Sequence, residues 1–257
     1  MTMEFIVNYK SKPIMNMKPD IKIFDDIESL NVEFTKLLKE HLWKKGELSI
    51  ALSGGSTPKL LFDFWASNDK TDLDWSKIRF FWSDERCVSP LDDESNFKMT
   101  KDHLFNYIPV PEKNIYRIHG EEDPQKEAER YANVLKDNVE MRNGLPSFEV
   151  LMLGLGNDGH TASIFPHQIE LWDSNDICVV GTHPDSGQKR ISLSGKTINN
   201  AHIIVFLVTG RSKSEIVKEI VRSELRLDNK YPAAKVNPVY GKVVWFLDKK
   251  AANLLID

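Results

Sequence analysis

One loop of this chain combines the residue types of acid–base chemistry with a backbone able to present them. Gly154, Gly156 and Gly159 are interspersed with polar residues that include Asp158 and His160. Glycines allow the sharp turns that leave neighbouring side chains accessible. Imidazole accepts a proton near neutral pH, so His160 beside Asp158 is a candidate general base for activating water. Such a base accelerates typical enzymatic reactions by about 10²–10⁴-fold.

The same glycines also match G-x-G-x-x-G, the pattern of dinucleotide-binding loops. A loop of that kind opens directly into a helix and is followed, about 20 residues later, by an acidic residue that binds the ribose. Here Asn157 and Asp158 fill the loop, Pro166 limits the next helix, and no acidic residue ends the following predicted strand before Asp185. The sequence therefore favours a catalytic His160 over a nicotinamide site. A purely structural hydrogen bond of His160 is the remaining alternative.

A second polar loop has the composition of an anion-binding turn. Ser53 is followed by Gly54, Gly55, Ser56 and Thr57. Two glycines let backbone N–H groups approach a ligand closely, and the helix expected to begin here adds unpaired N–H donors and the positive end of its dipole. The loop lacks the G-x-x-x-x-G-K-[ST] spacing of a Walker A motif. An ordinary strand-to-helix turn, with Ser56 or Thr57 as the N-cap, is the alternative.

Basic side chains are placed where they could complete this anion site. Arg211 and Lys213 lie at the start of a predicted helix, where positive charges oppose the helix dipole. A bound phosphate would offset that repulsion. We therefore expect Lys213, Arg86 and the Ser53 loop to hold one phosphate group. The alternative is that Arg211 and Lys213 are only solvated.

Other familiar chemistries lack their sequence patterns. The chain contains neither H-E-x-x-H nor C-x-x-C, so a zinc site is not expected. No G-x-S-x-G motif supports a serine hydrolase. Asp84 and Glu85 could suggest a divalent cation, but acidic loops are usually solvated, and solvation is the expectation for this pair.

Composition narrows the class of partner and the compartment. The 257 residues carry a formal net charge of -4 and a pI near 6.0, which argues against a nucleic-acid or anionic-membrane partner. No apolar run reaches the roughly 18 residues of a transmembrane helix, and the N-terminus lacks the pattern of a signal peptide. Cys87 and Cys178 lie far apart without metal-ligand spacing, which is typical of free thiols. The expected location is cytoplasmic.

Alternating strand-like and helix-like segments must position these loops. The predicted strands span 47–52, 78–82, 148–153, 203–208 and 243–247, and helices are expected after Pro58, near Pro124 and near Ser212, with Gly46 ending an earlier one. Such alternation predicts a doubly wound, Rossmann-like α/β fold, in which helices flank both faces of a mostly parallel sheet. We expect a single domain over residues 1–257. Phe5–Tyr9 and Ile21–Phe24 are expected to add a small edge hairpin.

Four polar loops directly follow four of the predicted strands. They begin at Ser53, Ser83, Gly154 and Thr209. Ligands of open α/β sheets bind beyond the carboxyl ends of the strands, and parallel strands bring those ends to one edge. The four loops are therefore predicted to form one site, and this convergence is stronger evidence than any single motif.

Several motifs together resemble the 6-phosphogluconolactonases. In chain order they are residues 53–58, residues 82–86 with Ser95, Asn96 and Met99, residues 154–166, residues 190–193, Ile198 with Asn199, Gly210 with Lys213, and residues 232–234. The matches run from about Ala51 to Ala252. The resemblance implies the fold of the group that contains glucosamine-6-phosphate deaminases and ribose-5-phosphate isomerases. It also implies hydrolysis of 6-phospho-D-glucono-1,5-lactone in the oxidative pentose phosphate pathway, without metal or cofactor.

The resemblance also implies roles for individual residues. His160 would deprotonate the water that attacks the lactone, and Asp158 would orient either His160 or the substrate hydroxyls. Backbone N–H groups of the glycine loops would stabilise the oxyanion. The implied substrate-binding residues are Gly54, Gly55, Ser56, Thr57, Arg86 and Lys213, with Arg190 near the ring or the phosphate. The chain departs from the family at Ser194-Gly195-Lys196, where an apolar residue and a proline are usual, and this leaves the contour near Arg190 open.

Two other functions are weighed against the lactonase. An enzyme like the glucosamine-6-phosphate deaminases would look similar around Asp158 and His160, but its loop continues toward Asn-Glu-Pro and its second motif is Met-Asp-Glu-Tyr. This chain has Thr161 to Pro166 and Ser83 to Arg86 at those places. A non-catalytic sugar-phosphate-binding regulator would need a DNA-binding module, for which the N-terminus offers neither length nor a basic helix-turn-helix. We therefore expect a phosphosugar lactone as the partner, and a monomer or weak homo-oligomer as the assembly.

Overall fold

The computed structural model describes residues 20–67, 71–222 and 227–256. The strands are β1 (Asp20–Phe24), β2 (Leu48–Leu52), β3 (Ile78–Trp82), β4 (Asp84–Arg86), β5 (Met141–Arg142), β6 (Leu145–Pro146), β7 (Val150–Leu153), β8 (Cys178–Thr182), β9 (Lys189–Leu193), β10 (Ile203–Val208) and β11 (Lys242–Asp248). The α-helices are α1 (Ile27–Lys45), α2 (Ser56–Ser67), α3 (Asn96–Thr100), α4 (Pro124–Asn138), α5 (Gly195–Ile198), α6 (Ser214–Arg222) and α7 (Asn253–Ile256). Short 3₁₀ helices span Trp75–Lys77, Glu112–Asn114, Pro166–Asp173, Arg211–Lys213 and Pro232–Lys235, and Lys101–Phe105 is π-helical.

Six parallel strands form the central sheet in the order β1-β11-β10-β7-β2-β3. Three of the four inner strands, β10, β7 and β2, are buried along their whole length, which explains their predominantly apolar sequences. Each predicted strand of this sheet is present, with bounds shifted by at most two residues. The prediction of an α/β fold with a mostly parallel sheet is therefore confirmed.

Helix α1 shows how the sequence places a helix against this sheet. Asp26 caps its first turn by accepting from the backbone N–H of Ser29. The helix ends at Gly46, the predicted end, where φ is +81°. Phe34 on its buried face meets the ring of Phe246 on β11 edge-on at 5.9 Å and stacks on Trp65 of α2 at 6.0 Å. These contacts link α1 to both the sheet and α2.

A second sheet was not predicted. Strands β4, β9 and β8 pair antiparallel in that order, and β4 begins two residues after β3 ends. The backbone of Ser83 joins the two sheets, because its N–H donates to Leu52 and its carbonyl accepts from Leu193. Strand β4 consists of Asp84, Glu85 and Arg86, a charged sequence without the apolar alternation that predicts a strand.

The predicted edge hairpin falls partly outside the described residues. Ile21–Phe24 lie within β1, which forms an edge of the central sheet and pairs parallel with β11, Ile21 facing Trp245. Phe5–Tyr9, the other half of the prediction, precede the described part of the chain. None of the described helices has the length and apolar character needed to cross a bilayer.

Candidate active site

The loops that follow β2, β3, β7 and β10 meet at the carboxyl edge of the central sheet, because these four strands are neighbours and run parallel. Direct contacts connect them. The hydroxyls of Thr57 and Thr209 are 2.7 Å apart, and the hydroxyl of Ser163 donates to the carboxylate of Asp84 at 2.6 Å. A Cβ on Gly154 would lie 3.9 Å from Oγ of Ser53. The four predicted loops are thus brought together.

His160 and Asp158 form a hydrogen-bonded pair in the loop after β7. Nδ1 of His160 lies 2.6 Å from Oδ1 of Asp158, and the same oxygen accepts from the backbone N–H of His160 at 3.1 Å. An ionised carboxylate only accepts hydrogen bonds, so Nδ1 must carry the proton. Nε2 is then the nitrogen with the free lone pair in neutral His160. Among the described residues, Nε2 of His160 has no hydrogen-bond partner.

The Asp158 carboxylate stays ionised throughout the neutral range. Partial burial raises its pKa, but the hydrogen bonds from the side chain and backbone of His160, together with the imidazole charge, outweigh burial and lower the pKa to about 2. In this structure the carboxylate of Asp158 bonds to the histidine of its own loop, which fits the predicted role of orienting His160.

Two of the three loop glycines are required by their surroundings. A Cβ on Gly156 would lie 2.1 Å from Nδ1 of His160, and one on Gly159, whose φ is +82°, would lie 2.3 Å from the ring of Tyr231. Gly154 differs, because a Cβ there would meet only Ser53, at an ordinary contact distance, and its φ is not positive. Gly156 therefore makes room for the His160–Asp158 pair and Gly159 for Tyr231, whereas Gly154 has no such steric requirement.

The N–H groups of these glycines are already engaged. Gly156 donates to the carbonyl of His160 at 2.9 Å, and Gly159 donates to the carbonyl of Gly156 at 3.1 Å. Neither is free to bind an oxyanion, which corrects that part of the prediction for the Gly154 loop. Ala233 donates to the carbonyl of Gly159 at 3.0 Å, so the 232–234 segment also fixes this loop.

The acidic pair after β3 is buried, contrary to the expectation of solvation. Asp84 is 5% exposed and accepts from the hydroxyl of Ser163 at 2.6 Å, which ties the segment after His160 to β4. Glu85 is 2% exposed and accepts from the backbone N–H groups of Asn96 and Phe97 at 2.8 Å each. Both carboxylates serve as internal acceptors that fix loops.

The Ser53 loop presents free donors at the start of α2. Among the described residues, the backbone N–H groups of Gly55, Ser56 and Thr57 make no hydrogen bond to the protein. Gly55 has a φ of +110°, and Gly54 is required because a Cβ there would overlap the side chain of Asn96 at 1.8 Å. Unpaired donors at the N-terminus of a 12-residue helix suit an anion.

Arg86 and Arg190 face each other across β4 and β9. Like charges directly opposite each other are unfavourable in an antiparallel pair. Nε of Arg86 is buried without a hydrogen-bond partner. Burial, and next the charge of Arg86, lower the pKa of Arg190. Two adjacent guanidinium groups with unused donors suit a bound anion. The sequence alone could not show that these two residues, 104 positions apart, are paired.

Phe165 is a site residue that sequence reasoning missed. Its ring is buried, and its centroid lies 4.7 Å from the centroid of the His160 imidazole. The guanidinium of Arg190 lies over the same ring, 5.6 Å from its centroid. The rings of His167 and His183 also contact it. Phe165 therefore links the histidine pair to the arginine pair. Its place within the motif of residues 154–166 was the only indication in the sequence.

Lys213 and Arg211 both precede α6 but differ in their exposure to solvent. Arg211 is exposed, as the alternative of simple solvation predicted. Lys213 is half-buried, and burial lowers the pKa of its ammonium group while the nearby charge of Asp158 opposes that shift. Within the described part of the chain, no carboxylate lies within 4.0 Å of its ammonium nitrogen. Lys213 thus brings an unpaired cation close to the His160–Asp158 pair.

The segment that departs from the family pattern has a local explanation. Ser194 caps α5 by accepting from the backbone N–H of Thr197, and a Cβ on Gly195 would overlap the indole of Trp172 at 2.2 Å. Arg190 stays within β9, paired with Arg86 and Gly181. The departure at Ser194-Gly195-Lys196 therefore leaves Arg190 at the site.

Comparison with known proteins places these features in a family. The profile of the glucosamine-6-phosphate isomerases/6-phosphogluconolactonase family matches residues 25–245. A relative from Treponema pallidum named 6-phosphogluconolactonase is 44% identical over 198 residues, which cover 77% of this chain and 82% of the relative.

Two solved structures are similar over almost the whole described fold. A crystal structure of devB protein superposes with a TM-score of 0.87 at 40% identity, covering 92% of this chain and 99% of that one. The 6-phosphogluconolactonase of Trypanosoma brucei gives a TM-score of 0.82 at 29% identity, covering 93% of this chain and 99% of that one.

Proposed function

This chain belongs to the glucosamine-6-phosphate isomerase/6-phosphogluconolactonase family, and from that premise we propose that it hydrolyses 6-phospho-D-glucono-1,5-lactone to 6-phospho-D-gluconate. The observation that carries the proposal is the His160–Asp158 pair, whose Nε2 is free beside a group of unpaired cations. This arrangement suits a neutral electrophile attached to a phosphate, which a phosphosugar lactone is.

Phosphate binding falls to the cations and the free N–H groups. Lys213, Arg86 and Arg190 supply positive charge, while Gly55, Ser56 and Thr57 supply backbone donors at the start of α2. Gly54 supports this loop by making room for Asn96. A dianionic phosphate would offset the repulsion between the two facing arginines, which explains why such a pairing is tolerated at this edge.

His160 then acts as the general base. Its neutral Nε2 removes a proton from a water molecule as the water oxygen bonds to the lactone carbonyl carbon. The resulting tetrahedral intermediate collapses when the bond from that carbon to the ring oxygen breaks. The imidazolium returns the proton to the departing oxygen, so the reaction consumes one water and needs no metal or cofactor. The product is a carboxylic acid that ionises at neutral pH.

Asp158 assists by holding the imidazole in one tautomer. Its carboxylate accepts from Nδ1–H, which keeps Nε2 available as the base and stabilises the imidazolium formed during proton transfer. The developing oxyanion requires donors other than Gly156 and Gly159, whose N–H groups are engaged. We propose that it is stabilised by N–H groups of the glycine loops that do not bind the phosphate.

The cellular setting is part of the same proposal. We place the protein in the cytoplasm, supported by two cysteines, Cys87 and Cys178, that are free in the structure. We further propose that residues 1–257 form one domain that acts as a monomer or weak homo-oligomer. Light scattering at micromolar concentration measures that assembly directly.

A rate assay tests the function. The purified protein is expected to accelerate hydrolysis of freshly formed 6-phosphogluconolactone far above its spontaneous rate, measured as acid release at constant pH. Incubation with glucosamine 6-phosphate is expected to release no ammonia. Lactone hydrolysis at the background rate, or ammonia release, would overturn the proposal in favour of a binding protein or a deaminase.

A further inference from the structure

We propose that Gln188 is a positioning residue that orients the guanidinium of Arg190 in the anion site, with Glu94 holding Gln188 in place. The inference rests on the proposed function, because it assumes that Arg190 binds the substrate. Neither Gln188 nor Glu94 belongs to the residues assigned to the site from the sequence. Both lie in loops, one between β8 and β9 and the other between β4 and α3.

The side-chain amide of Gln188 bridges two charged groups. Its Oε1 accepts from Nε of Arg190 at 3.2 Å, and its Nε2 donates to Oε2 of Glu94 at 2.8 Å. A guanidinium offers only donors and a carboxylate only acceptors, so a bridge between them needs a group with one of each. The amide therefore fits both ends of this contact.

Glu94 connects the same bridge to the second arginine. Its backbone carbonyl accepts from a terminal nitrogen of Arg86 at 2.6 Å, and its own N–H donates to Asp92 at 2.9 Å. One residue thus contacts Arg86 through its main chain and reaches Arg190 through Gln188. This contact fixes the two facing guanidinium groups relative to each other.

Because the bridging amide of Gln188 is neutral, it leaves the positive charge of Arg190 available to a bound anion. A carboxylate at position 188 would neutralise Arg190 and repel Glu94. The amide fixes Nε of Arg190 on one side, while the ring of Phe165 supports the guanidinium at 5.6 Å. Among the described residues, the two terminal nitrogens of Arg190 have no protein partner, so they are free for an anion.

The loop backbone holds Gln188 at this position. Its carbonyl accepts from the N–H of His183 at 2.9 Å, and Gly187, with a φ of +69°, donates to the carbonyl of His183 at 3.0 Å. The contacts close the turn between β8 and β9. The side chain of Gln188 is therefore presented toward Arg190 by a hydrogen-bonded turn.

Steady-state kinetics with the lactone test the inference. Gln188→Ala is expected to raise KM about 3- to 10-fold, because Arg190 loses one hydrogen bond that orients it, with kcat within about twofold. Gln188→Glu is expected to raise KM further, because its carboxylate competes with the substrate anion. Adding Glu94→Gln to Gln188→Glu is expected to leave most of that loss in place, because the carboxylate beside Arg190 remains.

Two further variants distinguish the ways in which the inference could fail. Arg190→Ala is expected to raise KM more than Gln188→Ala does, and Asp185→Asn, at an exposed position of the same loop, is expected to leave KM unchanged. If Arg190→Ala leaves KM unaltered, the placement of Arg190 in the proposed function is wrong. If Arg190→Ala raises KM but Gln188→Ala does not, the positioning role is wrong. A Gln188→Ala effect confined to a lower melting temperature also overturns it.

Discussion

At the scale of single residues, the contact between His160 and Asp158 gives the two imidazole nitrogens different tasks. Nδ1–H is bound to the carboxylate, and Nε2 remains for proton transfer. The same kind of pair occurs elsewhere, since Nδ1 of His103 lies 2.6 Å from Oδ1 of Asp63. A histidine–aspartate contact alone therefore does not define a site. The cations near His160 distinguish its pair from that of His103.

Asp158→Asn tests the tautomer argument. An amide at this position can face Nδ1 with either its oxygen or its nitrogen, so Nε2 is no longer held as the free base. We expect kcat for lactone hydrolysis to fall about 10–1,000-fold, with KM changed little. Asn157→Ala, in the adjacent exposed position, is expected to keep wild-type kcat. Full activity of Asp158→Asn would show that the carboxylate plays no part.

Residues close together in sequence were predictable at this scale, and residues joined by the fold were not. Asp158 and His160 are two positions apart, and their contact is one of the two alternatives that the loop sequence predicted. Arg86 and Arg190 come from strands far apart in the chain, and Phe165 meets both groups only after folding. The burial of Asp84 depends on Ser163, which lies 79 positions away.

At the scale of elements, the loop after β7 owes its shape to particular glycines. Gly156→Ala places a methyl group where His160 and Asp158 now lie, at 2.1 and 2.5 Å. We expect the pair to be displaced, with kcat falling at least about tenfold. The matched control is Gly154→Ala, for which the structure leaves room. Circular dichroism and melting temperature should show both variants folded.

The steric argument is tested by comparing kcat of Gly156→Ala with kcat of Gly154→Ala. Equal losses of kcat in Gly156→Ala and Gly154→Ala would mean that the loop is sensitive to any added side chain. Retained kcat in Gly156→Ala would mean that the histidine pair can shift without cost. Either result contradicts the steric argument.

The central parallel strands were predictable because their burial on both faces leaves unbroken apolar runs. The β4-β9-β8 sheet was not, because its first strand is charged and only three residues long. Its register matters most for the site, since it pairs Arg86 with Arg190. Such pairing is set by tertiary contacts that a local pattern does not encode.

At the scale of the whole molecule, Glu85 predicts how stability depends on pH. Burial raises its pKa to about 7, although backbone N–H groups of Asn96, Phe97 and Arg86 oppose the shift. The folded state then holds a proton that the unfolded state releases above about 4.5. The resulting stabilisation is complete below that pH and is lost as pH rises through 7.

Denaturant unfolding at several pH values measures this effect. The free energy of unfolding is expected to fall by up to a few kcal/mol between pH 4.5 and 7.5, since one pKa unit corresponds to about 1.4 kcal/mol. Glu85→Gln, which mimics the protonated side chain, should flatten this slope. A slope that persists unchanged in Glu85→Gln would assign the effect to other groups.

The parallel order of β10, β7, β2 and β3 explains why four loops remote in sequence share one edge. That convergence was predictable, because alternating strands and helices impose it. The individual contacts across the edge, such as that between Thr57 and Thr209, were not. Fold topology thus determines which loops meet, and side-chain packing determines their chemistry.

The most direct test of the account is the turnover of His160→Ala on 6-phosphogluconolactone, corrected for spontaneous hydrolysis. We expect kcat to fall about 10²–10⁴-fold while binding of 6-phosphogluconate, measured by calorimetry, stays within about threefold of wild type. His103→Ala, which breaks the equivalent pair outside the site, is expected to retain full turnover. Wild-type turnover in His160→Ala would contradict the assignment of His160 as the general base.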